Sequence, residues 1–213
     1  MLTGPASDPL TWLHLTDLHV GQPRENDRYH NIARALRDDL ERLHRDDGWR
    51  WDIVFFTGDL AFRGEDSEYA GVTQRLRPIL DDITRHNGGA PPVLITVPGN
   101  HDLRRPDPLT AARVGAAWRG SSVYREAFWR GGNPDLRAVL DPAFAAYLRW
   151  ERSHPFRRPD RPQPGGLVPG DFAASLDIRG RRVGVVGLNS AFLHLGDAGP
   201  GELDLRLEQV RAL

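Results

Sequence analysis

Four apolar runs of strand length divide this chain, and what lies between the first three decides the fold. The runs are Trp12 to Leu15, Ile53 to Phe56, Val93 to Val97 and Val183 to Leu188. Each is partly β-branched or aromatic and is bounded by polar, Gly or Pro residues, as buried strands are. Between the first and second, Asn26 to Asp47 carries Ile32, Leu36, Leu40 and Leu43 on one helical face, with Asn26 placed to cap it. Between the second and third, Glu68 to Arg85 repeats the pattern with Tyr69, Val72, Leu76, Ile79, Leu80 and Ile83, and Pro78 marks a candidate kink. Strands joined through helices return in the same direction, so the order strand, helix, strand, helix, strand implies parallel pairing through right-handed crossovers. The expected fold class is layered α/β.

The remainder is less regular. Pro108 to Arg119 and Pro142 to Ser153 read as helices, Arg130 to Asp135 as a loop, and Phe156 to Gly166 as a Pro/Gly/Arg-rich surface segment. Ala174 to Ile178, the Arg179-Gly180 pair and Arg181 to Gly187 form an expected hairpin. With 213 residues, one substantial core is affordable, so a single domain over 1–213 is expected, with an insertion around 104–172.

Composition excludes several classes of chemistry. Cysteine is absent, which removes disulfides, thiolate metal sites and cysteine nucleophiles, so any metal must be held by nitrogen and oxygen. The net charge is −1, so a polyanion would need a local site rather than a global attraction. Lysine is absent and all 28 basic side chains are arginines, which is read chiefly as codon usage. The N-terminal stretch lacks the n- and h-regions of a signal peptide and no run reaches transmembrane length. No membrane partner is expected, and a cytoplasmic location follows as the default.

In open α/β sheets, ligands gather at the carboxyl ends of the strands. The first run is followed by Thr16-Asp17-Leu18-His19, the second by Thr57-Gly58-Asp59, the third by Gly99-Asn100-His101-Asp102. In extended chain, positions two apart share a face, so Asp17 and His19 are expected to converge while Leu18 enters the core. Gly58 permits a sharp turn that projects Asp59. Singly, each of these is more often a cap or turn residue than a ligand. Three consecutive strands delivering Asp/His, Asp and Asn/His/Asp to one rim are not explained by independent turn chemistry.

The strings DLH at Asp17 to His19, GDLAFRG at Gly58 to Gly64 and GNHD at Gly99 to Asp102 together resemble the calcineurin-like metallophosphoesterase family. VGVVGLNSAF, Val183 to Phe192, is similar to a later core strand of its bacterial members. The resemblance implies an α/β/β/α sandwich and a site with two divalent metal ions. It assigns Asp17 and His19 to the first ion, Asp59 to a bridge and Asn100 to the second ion. His101 would contact the phosphate or protonate the leaving oxygen, and Asp102 would orient His101. Two cations neutralise phosphoryl oxygens and generate hydroxide near neutral pH. The mixed N/O donors suit Mn, Fe, Zn or Ni better than magnesium alone, and an imidazole's ordinary pKa suits His101 to acid catalysis.

The family completes its site with later GH or HH and GHxH motifs, and neither occurs here. His14, His30, His44 and His86 read as packing or solvent residues, while His154 follows a helix before Pro155 and His194 lies after the fourth run, where the resemblance implies no ligand. The expected explanation is an N-terminal portion of a longer enzyme, ending in the helix-like Gly201 to Leu213; the alternatives are completion by a second chain or a degenerate site. The expected function is hydrolysis of a phosphodiester, either a cyclic nucleotide or nucleic acid. A DNA-repair-type nuclease of the same family and a non-catalytic regulatory module with an incomplete metal site are the alternatives.

Overall fold

The structure of the chain is a computed structural model. It describes residues 9–23, 25–131, 133–160, 165–196 and 203–213, with the backbone alone for 25–28. Three parallel strands, β1 (Trp12–Leu15), β2 (Ile53–Thr57) and β3 (Val93–Val97), form one sheet in sequence order. Helices α1 (Glu25–Asp47) and α2 (Asp66–His86) supply the crossovers. The register runs in step, Leu15 beside Phe56 and Phe56 beside Thr96, so the three strands end on a common rim.

Side-chain alternation sorts the strand residues between two apolar layers. On one face Val54, Phe56 and Leu94 pack against Leu40, Val72, Leu76 and Ile83 of the two helices. On the other, Ile53, Val93 and Ile95 meet Phe172, Ala174, Leu176 and Ile178. Those last four belong to β4 (Phe172–Ile178), which pairs antiparallel with β5 (Arg181–Gly187). The turn between them puts Arg179 and Gly180 at φ of 52° and 76°, the two left-handed positions of a tight hairpin. The layer order is therefore helices, parallel sheet, second sheet. The outer face of the hairpin exposes Ser175, Asp177, Arg182 and Gly184.

Four helices lie between β3 and β4: α3 (Pro108–Gly120), α4 (Ser122–Trp129), α5 (Pro134–Ala143) and α6 (Ala145–Ser153). They enclose their own apolar cluster around Trp118, Phe128, Leu140 and Phe144, closed by Phe192. Two sequence expectations are corrected here. Asn133-Pro134 opens a helix rather than a loop, because the Asn133 side chain accepts from Leu136 N–H at 3.0 Å and Pro134 occupies the first helical position. The helix expected from Pro142 begins at Ala145, since Pro142 lies in the last turn of α5.

Asn26 lies inside the first turn of α1, which starts at Glu25, and its side chain is outside the described residues. Helix α2 continues through Pro78. Residue 132, residues 161–164 of the Arg-rich segment, and 201–202 before α7 (Leu207–Arg211) also fall outside the described residues. Among the described residues no helix is long and apolar enough to cross a membrane.

Candidate metal centre

Each candidate side chain stands on one of three loops leaving the carboxyl ends of β1, β2 and β3. Main-chain hydrogen bonds zip the first two loops together. Asp17 N–H donates to Gly58 O at 3.2 Å, His19 to Asp59 O at 2.9 Å and Val20 to Leu60 O at 3.0 Å. Phe62 N–H donates back to Val20 O at 3.0 Å. Parallel pairing thus continues past the end of the sheet, and it is this continuation that aligns the candidate residues of the first two loops.

Asp17, His19 and Asp59 adopt φ of 59°, 49° and 58°, left-handed backbone in residues that carry a Cβ. Such conformations cost on the order of 1–3 kcal/mol each and persist where surrounding structure enforces them. The extended geometry expected for Asp17 and His19 is accordingly corrected: two left-handed residues around Leu18 bring them together. Leu18 itself is half-buried against the helix-facing core. Gly58 and Gly99 make the loop contact sterically feasible. A Cβ on Gly58 would lie 2.8 Å from Gly99 Cα, and one on Gly99 would lie 2.3 Å from Asp59 Oδ1.

The result is a compact donor set. Ligand atoms of His19, Asp59 and His101 all lie within 4.8 Å of one another. His19 Nε2 is 3.4 Å from Asp59 Oδ2 and 4.0 Å from Asp17 Oδ1. Asp17 sits at the rim with its side chain 57% exposed, whereas that of Asp59 is 15% exposed. Asp59 Oδ1 also accepts from the His101 main-chain N–H at 2.9 Å, so the carboxylate ties the second loop to the third. Asn100 is half-buried on the same turn, immediately before His101.

Donors about 2.0–2.2 Å from an ion stand about 3–4 Å from each other, so the His19 and Asp59 spacing fits a divalent cation, and the N/O donors fit a transition metal. Among the described residues this is the one such group of His, Asp and Glu.

His101 is oriented by a group the sequence does not announce. Its Nδ1 lies 2.9 Å from the Phe62 carbonyl oxygen, which can only accept, so Nδ1 carries the proton and Nε2 is left free. The imidazole stacks on the Phe62 ring, 5.2 Å between centroids and 14° from parallel, and meets the His19 ring edge-on at 4.7 Å.

The role expected for Asp102 is corrected in its route. Its carboxylate is fully buried and accepts from the N–H groups of Leu60 (3.2 Å), Ala61 (2.9 Å) and Gly99 (2.9 Å), and from the Tyr69 hydroxyl (3.2 Å). Those are its bonds, not the His101 ring. It fastens the Gly58–Phe62 loop to the third turn, its bond to Ala61 standing one residue before the Phe62 carbonyl that holds His101. Burial pushes its carboxyl up to about 6, opposed by the three backbone N–H groups.

Phe62 and Tyr69 were not foreseen as site residues. A main-chain acceptor leaves no signature in a sequence, and Tyr69 reads as one more member of an apolar helix stripe; its hydroxyl in that stripe was the available signal. The other histidines do not join the cluster: His14 Nε2 pairs with Thr57 Oγ1 at 2.6 Å, His44 and His86 stack at 4.6 Å, and His154 is buried against Trp150.

The family model described as calcineurin-like phosphoesterase matches residues 10–163. No curated protein matches the chain.

Proposed function

The chain belongs to the calcineurin-like phosphoesterase family, and from that premise we propose that it hydrolyses a phosphodiester at a two-metal centre built on the strand-end loops. The family supports metal-dependent hydrolysis of phosphoric esters in general. The observation that carries the finer reading is the convergence of His19, Asp59 and His101 within 4.8 Å.

In this reading Asp17 and His19 would hold one ion, Asp59 would serve both, and Asn100 would offer its side-chain oxygen to the second. Manganese, iron, zinc or nickel suits these donors. Further ligands to the second ion would come from another domain or a second chain. When bound, the ions supply Lewis acidity to the phosphoryl oxygens and acidify water. The protein's own contribution is positional. Asp59 holds the spacing, and the Phe62 carbonyl keeps the His101 proton on Nδ1. Nε2, thus fixed in direction, takes up a proton and, in the imidazolium, donates to the phosphate or gives that proton to the leaving oxygen. A cyclic nucleotide or nucleic acid strand is the proposed substrate class.

A second reading, a binding module with one residual ion, is favoured by the single donor group among the described residues. Hydrolysis of bis(p-nitrophenyl) phosphate with Mn²⁺, measured beside the metal content, separates the two. Turnover above the metal-free rate supports the enzyme; bound metal without turnover supports the module.

A further inference from the structure

The loop after β1 borders a second space. Asp17 and His19 line a cavity of about 310 Å³ that opens between the sheet and helices α1 and α2. Its floor is Phe56, Leu76 and Ile79, all buried. Leu15, Leu18 and Leu36 wall it and are only half-buried, although they pack against the main apolar layer. Ile32 stands among its lining residues 67% exposed. A mostly apolar cleft of this size, two of whose lining residues belong to the candidate metal centre, is placed to take a ligand group.

Its chemistry is one-sided. Tyr29 lines it, but the hydroxyl donates to the Arg75 carbonyl at 2.7 Å and the Arg75 guanidinium covers the ring at 5.2 Å. Apart from Thr16 and Gln22, the polar groups on the lining are the two metal-centre residues themselves. A sugar or charged group placed on that floor would be desolvated without partners, and the Asp17 carboxylate at the entrance repels anions.

We propose that this cavity receives an apolar ester substituent of the substrate, a short alkyl chain or a single aromatic ring, which makes the substrate an alkyl or aryl phosphodiester in place of a nucleotide. The phosphoryl group then lies at the metal centre and the organic group enters the cavity past Asp17 and His19, which line both. The volume lies at the lower end of the range for ligand pockets, about 300–1,000 Å³, which limits the group to that size. This inference rests on the metal-centre reading for the phosphoryl end and goes beyond it in naming the organic end.

Calorimetric titration of the whole chain in Mn²⁺ with methyl-, propyl- and hexylphosphonate tests it. Affinity is expected to rise by about fourfold per methylene over the series. Ala33→Trp, which fills the cavity from α1, is expected to flatten the series, and Ile32→Asp to weaken the hexyl member. A flat series in the wild type, or an unchanged slope in Ala33→Trp, overturns the inference while leaving the metal-centre reading intact. If no phosphonate binds, the metal-centre reading fails instead. Hexanol then decides the cavity: shifts of the Ile32 and Ala33 methyl resonances uphold an apolar site, and unshifted resonances overturn it.

Discussion

His101 donates from Nδ1 to the main-chain carbonyl of Phe62 at 2.9 Å and lies stacked on the ring of that same residue. One residue thus fixes the imidazole twice, its carbonyl choosing the tautomer and its ring the plane. The two contributions are separable by mutation, because a substitution keeps the carbonyl and removes only the ring.

Phe62→Ala is expected to lower kcat by up to about tenfold, the loss of an aromatic contact of about 0.5–1.5 kcal/mol. His101→Ala is expected to lower kcat by about 10²–10⁴-fold, the usual contribution of a positioned proton donor, while metal remains bound to His19 and Asp59. Steady-state kinetics with metal analysis of both variants checks this. Loss of metal together with turnover in His101→Ala would make the imidazole a ligand and not a proton donor.

Asp59→Ala removes the carboxylate that lies 3.4 Å from His19 Nε2 and accepts the His101 N–H. Metal affinity is expected to fall by at least about tenfold, since even outer-shell partners contribute that much, and hydrolysis is expected to vanish. Inductively coupled plasma analysis after dialysis against metal buffer reads the first, and release of p-nitrophenol the second. Normal metal content with normal turnover would sink the assignment.

Gly99→Ala tests the loop contact directly. The added Cβ would meet Asp59 Oδ1 at 2.3 Å, a separation that forces the carboxylate aside. The Cβ would also meet the Asp59 main-chain nitrogen at 2.6 Å, so the expected result is a variant with a lowered melting temperature that also binds metal at least about tenfold more weakly. A large drop in melting temperature with unaltered affinity would show that the glycine serves packing instead.

Asp171 gives a stability prediction away from the metal centre. Its carboxylate accepts from Asn189 N–H at 2.7 Å and from the Gln209 amide at 3.2 Å, joining the start of β4 to α7. Burial pushes it up to about 6 despite these bonds. The raised value means that the folded state binds the proton more tightly than the unfolded state. The favourable contribution is therefore full below about pH 4, the unfolded value, and is lost as pH rises through about 6. Asp171→Asn carries no such titration, so the wild type's advantage over it should shrink by roughly 1–3 kcal/mol between pH 4 and 7. Urea unfolding of both proteins at the two pH values checks the sign; an advantage that grows with pH contradicts it.

The parallel sheet was legible because β1, β2 and β3 are short apolar runs separated by helices with a clear apolar face. The helices between β3 and β4 were less so. Asn133-Pro134 serves equally as a turn or as a cap followed by a first helical residue, and only tertiary packing of Leu136 and Leu140 decides. At the site, the letters Asp17, His19, Asp59 and His101 could be read, but the left-handed backbone that gathers the first three could not. Non-glycine residues seldom adopt it, and nothing local to Leu18 or Gly58 demands it. The Asp102 contacts were hidden for a related reason: three of its four donors are a main-chain N–H, which every residue but proline possesses.

The left-handed backbone at positions 17, 19 and 59 also bears on what has shaped this chain. Glycine enters that region without a steric penalty and asparagine does so readily. A lineage selected only for staying folded is expected to drift toward those residues at all three positions. Two aspartates and a histidine there forgo the steric freedom that glycine has at all three positions. A thermal-stability screen blind to activity is expected to replace them first.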